Sequence, residues 1–203
     1  MSVSKTKAKL IDAARQLFAR MGVESTTMND IALASKKGRR TLYTYFKNKD
    51  EIYAEVVQTE LNRLSDTMAR VITKAIPPDR KLLELIYTRL ETVKETVYRN
   101  GTLRAIFFRD IWRVENVRKE FDEKQIILFQ HVLEEGKQAG IFDISDVRMV
   151  AYIIHYCIKG LEVPYIRGKI GENLDVDTRK KAVANIVFGA LHKQEPNNNH
   201  QTI

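Results

Sequence analysis

The sequence has few features that could cross-link the fold covalently or anchor it in a membrane. One cysteine, Cys157, is present in 203 residues, so no intramolecular disulfide can form. No apolar run reaches membrane-spanning length, and no secretory h-region appears. With 44% hydrophobic and 30% charged residues, the chain has an ordinary globular composition. A chain of this length can form a hydrophobic core without disulfides. We therefore expect a soluble, cytoplasmic protein.

Acidic residues are scarce in the first quarter of the chain. Residues 1–50 hold 11 of the 34 lysines and arginines but 4 of the 26 aspartates and glutamates, whereas residues 51–203 hold 23 and 22. Nearly all of the formal net charge of +8 therefore lies at the N-terminal end. This asymmetry predicts a polyanionic partner for that end, either a nucleic acid or an anionic membrane surface.

Motifs for catalysis and metal binding are lacking as well. The sequence contains neither a phosphate-cradling glycine loop nor a nucleophile elbow. His155 and Cys157 are two residues apart and would point to different sides of a helix, so they do not form a nucleophile–base pair. His131, Glu134 and Glu135 would share a helix face, but such polar faces are usually only solvated. We predict a protein that is not an enzyme and that has no metal and no cofactor.

The N-terminal part is predicted to begin with two helices. Apolar residues recur at helical spacing from residue 10, and Gly22 follows them as a C-terminal stop. Thr27 and Asp30 are spaced as in a capping box, although the acidic partner is usually Glu or Gln. This pattern begins a second helix, in which Ile31 and Ala34 are expected to face inward.

The remainder of the chain is also predicted to be helical, with no segment that alternates with the period of a strand. A short third helix follows from about residue 38 to residue 45. Asn48 and Glu51 form a second capping-box pattern, which opens a long fourth helix that ends before Pro77. Further helices are expected near 79–99, 102–114, 116–139, 145–168 and 175–193. The sequence thus predicts an all-α fold.

The third helix lies in the stretch "KKGRRTLYTYF", which combines cations with aromatic residues. Leu42 and Phe46 are four residues apart and would face the core. Two short helices joined by a tight turn and braced by a preceding helix form a helix-turn-helix, whose second helix enters the DNA major groove. Arginine can pair with guanine, threonine can meet a thymine methyl, and tyrosine can reach a phosphate. The residues left outside are Arg39, Arg40, Thr41, Tyr43 and Thr44.

Residues 10–57 resemble the DNA-binding domain of the TetR family of bacterial transcriptional regulators. The motifs that carry the resemblance, in register, are Phe18 to Gly22, Thr26-Thr27, Ile31-Ala32, Thr41 to Phe46 and Lys49-Asp50. The resemblance implies that Thr41, Tyr43 and Tyr45 contact DNA from the recognition helix. It also implies that Thr27 contacts a phosphate and that Lys49 does so at the start of the fourth helix.

The chain departs from the family pattern in and after the turn. Lys36 and Lys37 stand where the family usually has Gly-Val, and Gly38 stands where a serine or threonine cap is frequent. Arg40 occupies a position where a small residue is common. These departures make the recognition surface more basic.

The resemblance also implies a division of the chain and a homodimer. We expect a helix-turn-helix DNA-binding domain over 1–50 and a helical ligand-binding and dimerisation domain over 51–193. The polar composition of 194–203 predicts a disordered tail. The last two long helices are expected to form the dimer interface, with candidate residues Tyr152, Tyr156, Gly160, Val163, Ile186, Val187, Ala190 and Leu191.

An effector site is expected among the apolar helices of the second domain. The candidate lining residues are Met68, Tyr87, Phe107, Phe108, Ile111, Trp112, Phe129 and His155. Core packing accounts for the same residues equally well, and both interpretations stay open. If a cavity exists, we expect a hydrophobic or amphipathic effector, with polar contacts from residues such as Arg104, Tyr152 or His155.

The predicted function is that of a ligand-responsive transcriptional regulator, and we expect a repressor. Its partners would be a palindromic double-stranded DNA operator, a second copy of the chain and a small molecule, but not a membrane. The alternative is a small-molecule-binding or catalytic helical protein without specific DNA binding, whose basic N-terminus aids solubility.

Overall fold

The computed structural model describes residues 5–99, 115–170, 173 and 175–191. Within these ranges the chain forms eight α-helices and no strand, which confirms the all-α prediction. The helices are α1 (Lys5–Met21), α2 (Met28–Ala34), α3 (Arg39–Tyr45), α4 (Lys49–Ile72), α5 (Pro78–Arg99), α6 (Glu115–Gln138), α7 (Val147–Ile166) and α8 (Val176–Leu191). The helix predicted over 102–114 and the tail predicted over 194–203 lie outside the described residues.

The chain divides into two compact units. The first comprises Met1–Thr67 and Glu91–Lys124, and the second comprises Met68–Leu90 and Gln125–Ile203. Helices α4, α5 and α6 each contribute residues to both units. The domain boundary that we predicted at residue 50 falls in the first turn of α4, and it stays a prediction.

In the first unit, α1 contacts α2 and α2 contacts α3. Helix α1 buries a stripe that includes Leu10, Ala14 and Phe18, which are four residues apart and therefore lie on one face. The Phe18 ring packs edge-on against Tyr53 of α4, with ring centroids 6.1 Å apart. Gly22 ends α1 with a φ of 86°, a conformation that glycine adopts without steric cost. The Phe18–Tyr53 contact and the buried stripe of α1 thus stabilise the helix-turn-helix.

Helix α2 is short, and one expectation about its inner face is wrong. Ile31 is fully buried as predicted, but Ala34 is exposed, and the inward positions are instead Ala32 and Ser35. The inward spacing is therefore i, i+1 and i+4 rather than i and i+3. The Ser35 hydroxyl donates to the Ala32 carbonyl at 2.9 Å, which satisfies this buried polar group locally.

The second unit is built from the last turn of α4, the first part of α5, most of α6, and the whole of α7 and α8. Its core contains Leu82, Leu85 and Ile86 of α5 and Phe129 and Val132 of α6. No helix in the described part of the chain combines the length and the apolar character that crossing a bilayer requires.

Candidate nucleic-acid interface

The turn of the helix-turn-helix is fixed by two backbone hydrogen bonds. The amide N–H of Lys36 donates to the Leu33 carbonyl, and that of Lys37 donates to the Ala32 carbonyl, both at 3.0 Å. This pair of bonds is a Schellman motif, which requires a left-handed residue directly after the helix C-cap. Lys36 occupies that position with a φ of 54°. Gly38 then serves as the N-cap of α3 in an extended conformation, without a side-chain cap.

The recognition helix α3 turns one face inward and leaves the other to solvent. Leu42 is fully buried and Phe46, its C-cap, is almost so, which confirms the predicted inner face. At 3.6 residues per turn, Arg40 and Thr44 lie opposite Leu42, and both are exposed. The Thr44 hydroxyl donates to the Arg40 carbonyl at 3.0 Å. Arg40 and Thr44 therefore form the centre of the outward face.

The other predicted contact residues of α3 surround that centre. Arg39, Tyr43 and Tyr45 are exposed, and Thr41 is half-buried. The rings of Tyr45 and Phe46 lie 6.5 Å apart between centroids. Every α3 residue of the predicted set thus has a side chain that reaches solvent, and their contacts to DNA stay predictions.

The basic residues of this surface have no acidic partner among the described residues. Between Ser35 and Asn48 the sequence has no acidic residue. In the described part of the chain, none of the side chains of Lys36, Lys37, Arg39, Arg40 and Lys47 forms a hydrogen bond or an ion pair. By contrast, Lys7 of α1 lies with its Nζ 2.6 Å from Glu55 Oε1. An uncompensated cationic surface of this kind attracts a polyanion.

Thr27 forms the N-cap of α2 and the predicted capping box. Its hydroxyl accepts from the Asp30 amide at 3.2 Å and donates to Asp30 Oδ2 at 2.7 Å, while its own amide donates to the same oxygen at 2.9 Å. The hydrogen bonds from the Thr27 side chain and backbone lower the pKa of the Asp30 carboxyl. A phosphate bound by the Thr27 hydroxyl must therefore compete with the Asp30 carboxylate.

Lys49 links two segments of the DNA-binding domain. Its Nζ donates to the Glu24 carbonyl at 3.1 Å, which ties the loop after α1 to the first turn of α4. An ammonium group has three donors, so this bond leaves two for a phosphate. The predicted DNA contacts did not include Lys36, Lys37 and Lys47. Their place in the acid-free run from Ser35 to Asn48 was the signal that could have identified them.

A helix-turn-helix whose outward helix carries uncompensated cations defines a DNA-binding protein. Residues 10–56 match the model of the bacterial regulatory proteins of the tetR family, and residues 112–186 match that of the C-terminal region of QacR-like proteins. The chain belongs to the TetR family of bacterial transcriptional regulators, and it is accordingly a DNA-binding transcriptional regulator.

Individual relatives agree over most of the chain. QacR of Staphylococcus aureus is 22% identical over 158 residues, which cover 76% of this chain and 83% of QacR. The probable acrEF/envCD operon repressor of Escherichia coli is 26% identical over 177 residues, covering 84% of this chain and 80% of the repressor. The structure of FadR from Bacillus halodurans superposes with a TM-score of 0.70 at 20% identity, covering 95% of this chain and 100% of FadR. This structural likeness supports the fold.

Some of the residues predicted to line an effector site belong to the second unit and are among the described residues. Met68 and Phe129 are fully buried. The Tyr87 hydroxyl donates to the Arg179 carbonyl at 3.1 Å, and burial raises the pKa of this phenol. The remaining candidates, Arg104, Phe107, Phe108, Ile111 and Trp112, lie outside the described residues.

His155 belongs to a buried polar cluster that the sequence analysis did not identify. Arg89 Nη1 lies 2.9 Å from His155 Nδ1, and Arg89 Nε and Nη2 donate to Glu162 Oε1 at 3.0 and 2.8 Å. Arg89 is 1% exposed and Glu162 is 5% exposed. The signal was present, because Ala151, His155, Ile158, Glu162 and Tyr165 recur at intervals of three and four along the buried face of α7.

Helix α7 carries apolar residues on its outer face as well. Tyr152 and Tyr156 of the predicted interface are exposed, and their rings stack with centroids 6.5 Å apart. Met149 and Ile153 are exposed beside them. Gly160 is exposed and Val163 is half-buried. An exposed apolar face of this kind is typical of an interaction site.

The predicted interface residues of α8 differ in exposure. Ile186 is 76% exposed and Val187 is half-buried, whereas Leu191 is 6% exposed and therefore packs within its own chain. The Leu191 carbonyl also accepts from the Asp143 amide at 3.0 Å. The side chain of Ala190 lies outside the description. Within the described ranges, no three His, Cys, Asp or Glu side chains come together as a possible metal site.

Proposed function

We propose that the protein is a homodimeric, ligand-responsive repressor that binds a palindromic operator through α3. The observation that carries this proposal is the acid-free run from Ser35 to Asn48, whose five cationic side chains form no ion pair in the described part of the chain. Arg40 and Thr44, at the centre of the outward face, are the residues proposed to read bases. Arg39 and Lys49 are proposed to hold phosphates.

The outer face of α7 supports the homodimer. Its exposed apolar residues, together with Ile186 on α8, would be costly to leave in water, and a second copy of the chain provides a matching face. A twofold dimer presents two recognition helices to half-sites about one helical turn apart, which accounts for a palindromic operator.

The effector is proposed to be hydrophobic or amphipathic. Met68, Phe129 and the other buried apolar residues of the second unit support this, and FadR of Bacillus halodurans is a regulator of fatty acid degradation. Helix α4 begins directly after the helix-turn-helix and contributes its last turn to the second unit. A ligand that shifts α4 would change the spacing of the two recognition helices and release the DNA.

A mobility-shift assay at fixed salt tests DNA recognition. The protein is titrated against the DNA upstream of its own coding region and against unrelated DNA of equal length. Tight binding to the first and weak binding to the second supports the proposal. Equal, weak binding to both contradicts the proposal that the protein recognises an operator in that DNA.

A second assay tests the effector. Trp112 is the only tryptophan in the chain, so its fluorescence can report on a nearby ligand. Fatty acids, acyl thioesters and planar aromatic compounds are added to the protein–DNA complex. A compound that changes Trp112 emission and releases DNA supports a hydrophobic effector, whereas release by sugars or amino acids alone, with constant emission, contradicts it.

A further inference from the structure

Lys36 has a backbone conformation that is unfavourable for a lysine. Its φ of 54° makes it the one non-glycine residue with a positive φ in the described part of the chain. The other positive values there belong to Gly22, Gly140 and Gly168. Residues with a Cβ avoid this region because the Cβ approaches the neighbouring carbonyl oxygen. The turn of the helix-turn-helix therefore contains local strain.

A glycine is available two positions later, where none is required. Gly38 has φ −67° and ψ 149°, an extended conformation that any residue adopts, and a Cβ there would meet no atom within 4 Å. The two Schellman hydrogen bonds hold Lys36 in the left-handed conformation. Strain of this kind, retained where a smaller residue would remove it, is commonly associated with a functional site.

The Lys36 side chain is placed to meet DNA. It is exposed, and among the described residues it has no hydrogen-bond or ion-pair partner. It also lies three residues before Arg39, the first residue of α3, and therefore near the end from which recognition helices contact base edges. The phosphates bordering the major groove are within reach of residues at this end.

We propose that Lys36 binds a DNA phosphate and thereby adds an anchoring contact at the turn, in exchange for local strain. The proposal rests on the proposed operator binding. It predicts a sequence-independent contribution to affinity, because a phosphate carries no base information.

The experiment combines DNA binding with thermal unfolding for three variants of the full chain. Lys36→Gly removes both the charge and the strain, and Lys36→Arg keeps both. Lys169→Gln removes an exposed charge from the second unit and serves as the control. Binding to the upstream DNA and to unrelated DNA is measured over a range of salt concentrations.

Lys36→Gly is expected to bind both DNAs about fivefold more weakly at 0.15 M salt, with a log K against log salt slope shallower by about 0.9. Its unfolding midpoint is expected to rise by about 2–4 °C. Lys36→Arg and Lys169→Gln are expected to keep the wild-type slope. A higher unfolding midpoint together with weaker DNA binding in Lys36→Gly would distinguish a DNA contact from a purely structural role.

An unchanged slope and affinity in Lys36→Gly would overturn the proposal, whatever happens to its stability. Equal, weak binding of the wild-type chain to both DNAs would instead refute operator recognition. In that case the slope on unrelated DNA still decides whether Lys36 contacts phosphate.

Discussion

Removing Arg89 should strongly destabilise the second unit without touching the DNA-binding surface. In the variant Arg89→Met, Glu162 loses both of its short hydrogen bonds from the guanidinium, and His155 loses the donor to Nδ1. A methionine fills much of the same volume, so the loss of the charge pair dominates over the creation of a cavity. Glu162, at 5% exposure, is left as a buried carboxylate without its cation.

The expected cost is about 3–5 kcal/mol of unfolding free energy, the usual range for breaking one partner of a buried ion pair. Glu162→Leu should cost a similar amount, because the guanidinium is then left buried. The double variant Arg89→Met/Glu162→Leu should lose only about 1–3 kcal/mol, since both charges are gone and the remaining loss is the His155 Nδ1 hydrogen bond.

Urea denaturation of the four proteins measures the coupling directly. Lys124→Met is the control, because Lys124 pairs at 2.6 Å with Glu120, their side chains are 51% and 59% exposed, and such surface pairs contribute about 0–1 kcal/mol. If Arg89→Met unfolds like wild type, or if the double variant loses as much as the two single variants together, the buried pair is not what holds α5 to α7.

Three further predictions concern packing, assembly and recognition. Gly136→Ala should destabilise the protein by about 1–3 kcal/mol, because its Cβ would lie 2.2 Å from a ring carbon of Phe142. Ile186→Glu should yield folded monomers in sedimentation and weak operator binding, whereas Leu191→Glu should impair folding because that side chain is buried within its own chain. Arg40→Ala should cost about 1–3 kcal/mol of operator binding and relax base preference at one position, as measured with single-base operator variants.

Control variants distinguish the expected packing, assembly and DNA-contact effects from nonspecific effects of a substitution. Gly160→Ala also lies inside a helix but meets no atom within 4 Å, so it should be neutral or stabilising by up to about 1 kcal/mol in the monomer. An equal loss in both glycine variants would contradict the packing argument. A dimeric Ile186→Glu would place the interface elsewhere. Equal weakening of Arg40→Ala on all sequences would make Arg40 a phosphate contact, and Arg80→Ala, which removes an exposed cation from the second unit, provides the charge control.

The parts of the fold that the sequence predicted are those set by local spacing. The capping box of Thr27 and Asp30 depends on residues three apart, and the buried face of α3 depends on Leu42 and Phe46, four apart. Both follow from helix geometry alone. The outward position of Arg40 follows in the same way.

The features that escaped prediction depend on backbone conformation or on distant pairing. Lysine itself gives no indication of the left-handed conformation at position 36, and the one signal was the glycine that the family usually has there. Arg89 and Glu162 are 73 residues apart, so their pairing follows from the packing of α5 against α7. The inward face of α2 was misjudged because a seven-residue helix carries too few apolar positions to define its stripe.

Hydroxyl-radical footprinting of the upstream DNA tests operator recognition by a dimer most directly. A dimer on a palindromic operator should give two protected patches related by a dyad and about one helical turn apart, which appear together as protein is added. Protection should disappear in Arg40→Ala at concentrations where Arg80→Ala still protects. Uniform protection along the fragment, or a single patch without a symmetric partner, would show that the protein does not bind an operator as a symmetric dimer.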